Sequence, residues 1–164
     1  MKLKAIKTEW FQDYKVPSMM LAFPTCSFKC EKDCGKKLCQ NSHLAQSPDI
    51  EKSVADILRG YLANPITKAI VCAGLEPMDS FEDIVGLVSA MRNDYHCNDT
   101  VVIYTGYNKE EIQYEIDLLK QYSNIIVKFG RFLVNDRSRY DEVLGVTLAS
   151  SNQYAEVISR AKIY

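Results

Sequence analysis

Four of the six cysteines lie within fourteen positions, in the stretch CSFKCEKDCGKKLCQNS at residues 26–42. We refer to residues 26–42 as the cysteine segment. Thiolates are strong ligands for metals and iron–sulfur clusters, so thiols this close in sequence indicate a metal or cluster site. A disulfide framework suits short exported chains, whereas the N-terminus MKLKAIKTEWF lacks the apolar core of a signal peptide. We therefore expect reduced thiols and a cytoplasmic location.

The composition is that of one globular domain, residues 1–164, with 47% hydrophobic and 25% charged residues. The 20 basic and 21 acidic residues nearly cancel, which argues against electrostatic binding to nucleic acid or to an anionic membrane. No apolar run approaches the roughly 20 residues of a spanning helix. We expect neither nucleic acid nor a membrane as a partner.

Apolar runs alternate with helical patterns along the chain. The runs predict buried strands at 16–23, 67–73, 100–105, 124–129 and 142–148. The helical patterns predict a helix over 48–62 that begins at Ser47 and Pro48, one capped by Asp79 with Glu82, one from Asn108 (with Glu111) to Tyr122, and a short one from Ser151. This order predicts parallel strands in an α/β fold.

The chain is too short for a complete eight-unit barrel of about 250 residues, so an incomplete β/α barrel or an open sheet remains. In both, ligands bind at the carboxyl ends of the strands. The cysteine segment, AGLEP (73–77) and TGY (105–107) each follow a predicted strand. We expect these loops to meet at one edge.

Two kinds of metal site fit the cysteine segment. Cys26, Cys30, Cys34 and Cys39 supply the four ligands of a structural zinc, although their short intervals lack the usual long spacer. His43 is expected to be solvated rather than a ligand. An iron–sulfur cluster held by only three cysteines instead leaves one iron open to a substrate.

Three further motifs narrow these possibilities. FPTCSFKC…LCQN resembles the C-x3-C-x2-C signature of the radical S-adenosylmethionine superfamily, and AGLEP is similar to its G-G-E-P motif. YTGY (104–107) and SSNQ (150–153) resemble segments of the small activating proteins of anaerobic ribonucleoside-triphosphate reductases. The resemblance spans roughly residues 16–155 and implies a partial parallel β/α barrel.

The resemblance also implies the chemistry. Three cysteines hold a [4Fe-4S] cluster whose fourth iron binds the amino and carboxylate groups of S-adenosylmethionine. One-electron cleavage of the sulfonium yields a 5′-deoxyadenosyl radical, which takes a hydrogen atom from a glycine of the large glycyl-radical ribonucleotide reductase subunit. An electron donor such as flavodoxin or ferredoxin is implied as a second partner.

The third cluster ligand departs from the family pattern. Cys26 and Cys30 match its first two positions, but the C-x2-C spacing puts the third cysteine at position 33, where this chain has Asp33. In the superfamily an apolar residue precedes the third cysteine, as Leu38 precedes Cys39 here. We therefore predict Cys39 as the third ligand, with Cys34 as the alternative.

The resemblance assigns cofactor contacts to Leu38, Ala73, Gly74, Glu76 and Thr105. Small residues at 73 and 74 permit close approach of the cofactor. Glu76 either accepts hydrogen bonds from its ammonium group or caps nearby amides, and Thr105 either meets the ribose or caps its own turn. Two rival functions remain: a non-enzymatic zinc or iron–sulfur module, and a radical S-adenosylmethionine enzyme that acts on another protein.

Overall fold

The structure, a computed structural model, describes residues 1–37, 39 and 41–160, with Cys34 described by its backbone alone. The strands, β1 to β10 in chain order, are Lys2–Leu3, Ala5–Trp10, Ser18–Phe23, Ile50–Glu51, Ala69–Gly74, Thr100–Tyr104, Ile125–Phe129, Arg139–Asp141, Val146–Leu148 and Tyr154–Ser159. The helices, α1 to α5, are Lys29–Cys34, Ser42–Ala45, Val54–Ala63, Phe81–Ser89 and Gln113–Leu119. Short 3-10 turns, Pro77–Ser80 and Lys109–Ile112, lead into α4 and α5.

A central sheet organises the fold. Among the described residues it has six strands, in the order β10-β7-β6-β5-β3-β2. The four inner strands β3, β5, β6 and β7 are parallel, and β2 and β10 are antiparallel at the two edges. The predicted α/β architecture with parallel strands is therefore confirmed. The closure of this sheet into a partial barrel stays a prediction.

One face of the sheet is covered by helices. Leu21, Ile103 and Val127 point to this face and are fully buried. They pack against apolar side chains of α3, α4 and α5, among them Leu58, Leu87 and Ile116. The helical spacing of these side chains explains why the sequence pattern predicted three helices here.

The opposite face is only partly covered. Ala69, Val71, Val102 and Ile126 form a smaller core on this face with side chains from two loop regions, including Tyr14, Leu144 and Leu148. Toward the carboxyl ends of the strands this cover stops and the sheet face lines a groove. The uncovered part of the face is thus at the edge where ligands were predicted.

Several predicted boundaries are wrong. The helix predicted from residue 48 begins at Val54, because the Ser53 side chain accepts the N–H of Asp56 at 3.0 Å and Ile50–Glu51 instead pairs with β1. The strand predicted at 142–148 is a hairpin, β8–β9, whose turn contains Gly145 at φ 72°. The helix predicted from Ser151 is instead strand β10.

Two further outcomes concern the chain ends and caps. Ala5–Trp10 forms edge strand β2, which the apolar pattern did not reveal because most of its side chains are exposed or half-buried. The Asn108–Glu111 capping box is confirmed.

In the part of the chain that the structure describes, the helices are all too short or too polar to cross a bilayer.

Candidate metal centre and adjoining groove

Four loops meet at the carboxyl edge of the parallel strands. The pairs Phe23–Gly74 and Tyr104–Lys128 are in register at the ends of their strands. The cysteine segment, AGLEP, TGY and the loop that begins at Gly130 therefore leave the sheet side by side. The predicted gathering of the three motif loops is confirmed, and a fourth loop joins them.

The cysteine segment folds back onto this edge. The Glu76 N–H donates to the Thr25 carbonyl at 2.8 Å, and the Asn41 side-chain amide donates to the Gly74 carbonyl at 2.7 Å. The segment is thus attached to the end of β5 on both sides of its cysteines. Within it, the Cys39 N–H donates to Glu31 Oε1 at 2.9 Å, which ties Cys39 to helix α1.

Cys26, Cys30 and Cys39 are all half-buried free thiols. Burial raises the pKa of Cys26 to about 11, and the nearby negative charges of Glu76, Asp79 and Cys30 add to the rise, although the Phe28 N–H donated to its sulfur at 3.2 Å opposes it. Burial also raises the pKa of Cys30, with a further contribution from neighbouring Cys39. Binding of a metal or cluster by cysteines releases their protons, so the raised pKa of Cys26 and of Cys30 opposes binding.

Cys30 interacts electrostatically with both Cys26 and Cys39. Soft sulfur donors of this kind select iron–sulfur clusters and zinc. Among the described side chains, no three of His, Cys, Asp and Glu are close enough to hold a single ion. The side chain of Cys34, the alternative third ligand, and all of Leu38, a predicted cofactor contact, lie outside the described residues. The assignment of Cys26, Cys30 and Cys39 as cluster ligands stays a prediction.

A groove of about 640 Å³ opens beside the cysteines. Cys30, Cys39, Trp10 and Asp13 are among the residues that line it. Its floor is the uncovered sheet face, lined by Ala22, Ala73, Tyr104 and Lys128 from four neighbouring strands. A small organic ligand placed there would contact the strand ends and the thiols together.

Ala73 and Gly74 line this groove, while their predicted contact with a cofactor stays a prediction. Gly74 also has a structural reason to be glycine. Its φ is +93°, and a Cβ on it would lie 2.7 Å from the Phe23 nitrogen. The close contact that demands glycine is therefore with β3.

Glu76 is buried and its carboxylate is engaged by the protein. Oε1 accepts the Met78 N–H at 3.1 Å, and Oε2 accepts the Gly106 N–H at 2.8 Å. Burial raises the pKa of Glu76, while the hydrogen bonds from Gly106, Thr105 and Met78 oppose the rise. The carboxylate caps amides of two loops, and its role toward a cofactor stays a prediction.

Thr105 lines the groove and is also engaged internally. Its hydroxyl oxygen accepts the Tyr107 N–H at 3.0 Å, and its own N–H donates to the Lys128 carbonyl at 2.9 Å. It thus caps its turn, while its predicted ribose contact stays untested. Asp79 was predicted to cap α4, but its carboxylate instead accepts the Ser27 N–H and the Tyr107 hydroxyl, at 2.6 and 2.7 Å.

Lys128 is a groove residue that sequence reasoning missed. It is buried, its ammonium donates to the Gly130 carbonyl at 2.9 Å, and it lines the floor. Burial lowers its pKa to about 8, and the charge of Glu76 partly offsets this. The signal was present as a lone lysine in the otherwise apolar run IIVKF, since such residues are rarely buried without a reason.

Comparisons with known proteins bear on the cysteines. The family model described as 4Fe-4S single cluster domain matches residues 18–154, from β3 to the start of β10. No curated protein and no solved structure gives a significant match. The match includes the cysteine segment and all four loops at the carboxyl edge of the sheet. The chain therefore belongs to the 4Fe-4S single cluster domain family.

Proposed function

We propose that the protein is a radical S-adenosylmethionine activase that generates a glycyl radical on an anaerobic ribonucleotide reductase. The observation that carries the proposal is that Cys30 and Cys39 line the same groove as the carboxyl ends of the parallel strands. A cluster held there would have an open position beside a cavity large enough for a cofactor. The cysteine and AGLEP motifs resemble those of the same superfamily.

Cys26, Cys30 and Cys39 would hold the [4Fe-4S] cluster, with Cys34 as the alternative to Cys39. When bound, the cluster and S-adenosylmethionine supply one-electron cleavage of the sulfonium and hydrogen-atom abstraction from glycine. The choice of Cys39 is supported by its place in the groove lining beside Cys30 and by its hydrogen bond to Glu31.

The groove residues would bind and orient the cofactor. Ala73 and Gly74 are small and so leave room for the cofactor above the groove floor. Thr105 and Glu76 lie near the adjoining strand ends. Leu38 is proposed to face the adenine. Lys128 is a buried cation in the groove lining, and its attraction to an anionic group of a ligand is strengthened because the local dielectric constant is low. The large reductase subunit would cover the open groove, and flavodoxin or ferredoxin would supply the electron.

A second candidate is an electron-transfer module that holds the same cluster and cleaves nothing. The engagement of both Glu76 oxygens by Met78 and Gly106 favours it, because this carboxylate is already satisfied by the protein. A radical S-adenosylmethionine enzyme that acts on a different protein is the third.

One experiment separates these functions. Anaerobically reconstituted protein is reduced with dithionite in the presence of S-adenosylmethionine, and 5′-deoxyadenosine is measured by chromatography. The activase proposal predicts about four irons per chain and formation of 5′-deoxyadenosine, both lost in Cys30→Ala. A protein with a full cluster and no 5′-deoxyadenosine would support the electron-transfer module. Formation of a glycyl radical in the reductase subunit, detected by electron paramagnetic resonance, separates the activase from other radical enzymes.

A further inference from the structure

A network of charges lies on the outer side of the cysteine segment. Arg131, just after β7, approaches Asp33 of α1 at 3.2 Å through Nε and donates to Glu111 Oε1 at 2.8 Å through Nη2. Lys29 of α1 also pairs with Glu111. The Arg131 and Glu111 side chains are only 14% and 27% exposed, so the pair between them is less screened by water than an ordinary surface pair.

Tyr107 connects this network to the rest of the sheet edge. The Lys29 ammonium lies 5.5 Å from the centroid of its ring, and the Arg131 guanidinium lies 6.0 Å from the same centroid. Its hydroxyl donates to Asp79, which also accepts the Ser27 N–H. We refer to Lys29, Asp33, Tyr107, Glu111 and Arg131 as the Arg131 network.

Helix α1 depends on such contacts. It has six residues, it begins after Phe28 at φ 51°, and Gly35 at φ 67° follows it. A helix this short does not form stably by itself, because nucleation costs more than so few hydrogen bonds return. The network contacts α1 at Lys29 and at Asp33, on both sides of Cys30.

We propose that the Arg131 network positions the cluster thiols, holding α1 so that Cys30 faces the groove and the adjoining Cys26 stays half-buried before any cluster is present. Its members are positioning residues, since they act on the cluster through α1. Electrostatics favours this role, because the hydrogen bond from Arg131 and the contacts to Lys29 and Asn108 lower the pKa of Glu111 to about 2 and keep it ionised. The inference holds for a catalytic cluster and for an electron-transfer cluster alike.

The test compares Arg131→Gln with wild type in two measurements. In the iron-free full-length chain, alkylation by iodoacetamide is followed for each cysteine by mass spectrometry. We expect Cys26 and Cys30 to react about 3- to 10-fold faster in the variant, while half-buried Cys97, near the opposite edge of the sheet, keeps its rate. In reconstituted protein, iron loss to a chelator should accelerate by a similar factor.

Matched variants separate positioning from general destabilisation. Arg59→Gln breaks an exposed pair with Asp56 on α3 and should change neither measurement. Arg131→Lys keeps one ion pair and should restore most of the wild-type behaviour. Tyr107→Phe, which retains the ring, should give a smaller increase than Arg131→Gln. Unchanged rates for Cys26 and Cys30 in Arg131→Gln, or an equal increase at Cys97, would overturn the proposal. If wild type binds no iron, the alkylation measurement still decides it.

Discussion

The two faces of the central sheet carry different kinds of side chain although they belong to the same strands. On the helix-covered face, β6 and β7 place Ile103 and Val127, both fully buried in the larger core. On the other face, the next residues along the same strands are Tyr104 and Lys128, which line the groove. The contrast appears only near the carboxyl ends, because Val102 and Ile126 further back are apolar.

This difference separates stability from ligand binding within single strands. Burial of apolar side chains against helices stabilises the fold, while a polar or small side chain at the groove forgoes such burial. The alternation of a strand allows both, since successive side chains point to opposite faces. Substitutions at neighbouring positions should therefore have separable effects on folding and on the site.

The largest effect is expected at the predicted cluster cysteines, of which Cys30 and Cys39 line the groove. Cys26→Ala, Cys30→Ala and Cys39→Ala should each abolish the reconstituted cluster, because three thiolates are needed to hold it. Iron analysis and the visible absorption of the cluster measure this loss. Cys97→Ala, a thiol outside the groove, is the control and should retain full iron.

Cys34→Ala decides the third ligand. If Cys34→Ala loses the cluster and Cys39→Ala keeps it, then Cys34 is the ligand and the assignment of Cys39 is wrong. The free energy of unfolding of iron-free Cys26→Ala, Cys30→Ala and Cys39→Ala should stay within about 1 kcal/mol of wild type, because these three half-buried thiols contribute little to the core.

The next effect lies on the helix-covered face. Ile103→Ala should lower the free energy of unfolding by about 3 kcal/mol, since it leaves a cavity among fully buried side chains. Its neighbour Tyr104→Phe loses one hydrogen bond from its hydroxyl to the Asp13 carbonyl and should cost about 1 kcal/mol. Urea denaturation measures both. Equal losses in the two variants would contradict the division of roles between the faces.

At Lys128 we expect a gain of stability with rising pH that is smaller than the loss of stability expected for Ile103→Ala. Its folded pKa is lowered to about 8 from 10.5, so the unfolded chain binds the proton more strongly between these values. Stability therefore rises with pH in that window. We expect wild type to gain about 2 kcal/mol relative to Lys128→Met between pH 7 and pH 10, measured by denaturation at both pH values.

The same substitution should weaken the binding of S-adenosylmethionine about tenfold, because the groove loses its buried cation. Equilibrium dialysis with the reconstituted protein measures this. A Lys128→Met protein whose stability changes with pH in parallel with wild type would show that the lysine is not desolvated in the folded chain.

The sequence predicted the inner strands well, because their apolar runs are buried. In VVIY, the side chains of Val101, Val102 and Ile103 are buried in the cores on the two faces of the sheet. The sequence pattern did not predict segments with few buried side chains or segments whose shape depends on a single turn residue. The edge strand Ala5–Trp10 has few buried side chains, and the hairpin at 139–148 depends on a left-handed glycine. Such features need knowledge of the neighbouring segments, which a pattern within one segment does not contain.

The candidate site divides in the same way. Cys26, Cys30 and the AGLEP and TGY loops were predictable, because parallel strands bring their carboxyl ends to one edge. Arg131 and Glu111 were not, since their pairing with α1 joins residues about 80 to 100 positions apart in sequence. The internal hydrogen bonds of Glu76 were named as an alternative and are present in the structure.

The central claim is that a three-cysteine cluster has an open iron facing the groove. Electron paramagnetic resonance of the reduced, reconstituted protein, recorded with and without S-adenosylmethionine, tests it most directly. The account predicts a [4Fe-4S] signal whose g values shift when the cofactor is added, with the shift weakened in Lys128→Met. A [4Fe-4S] signal that is identical in both samples at saturating S-adenosylmethionine would contradict it.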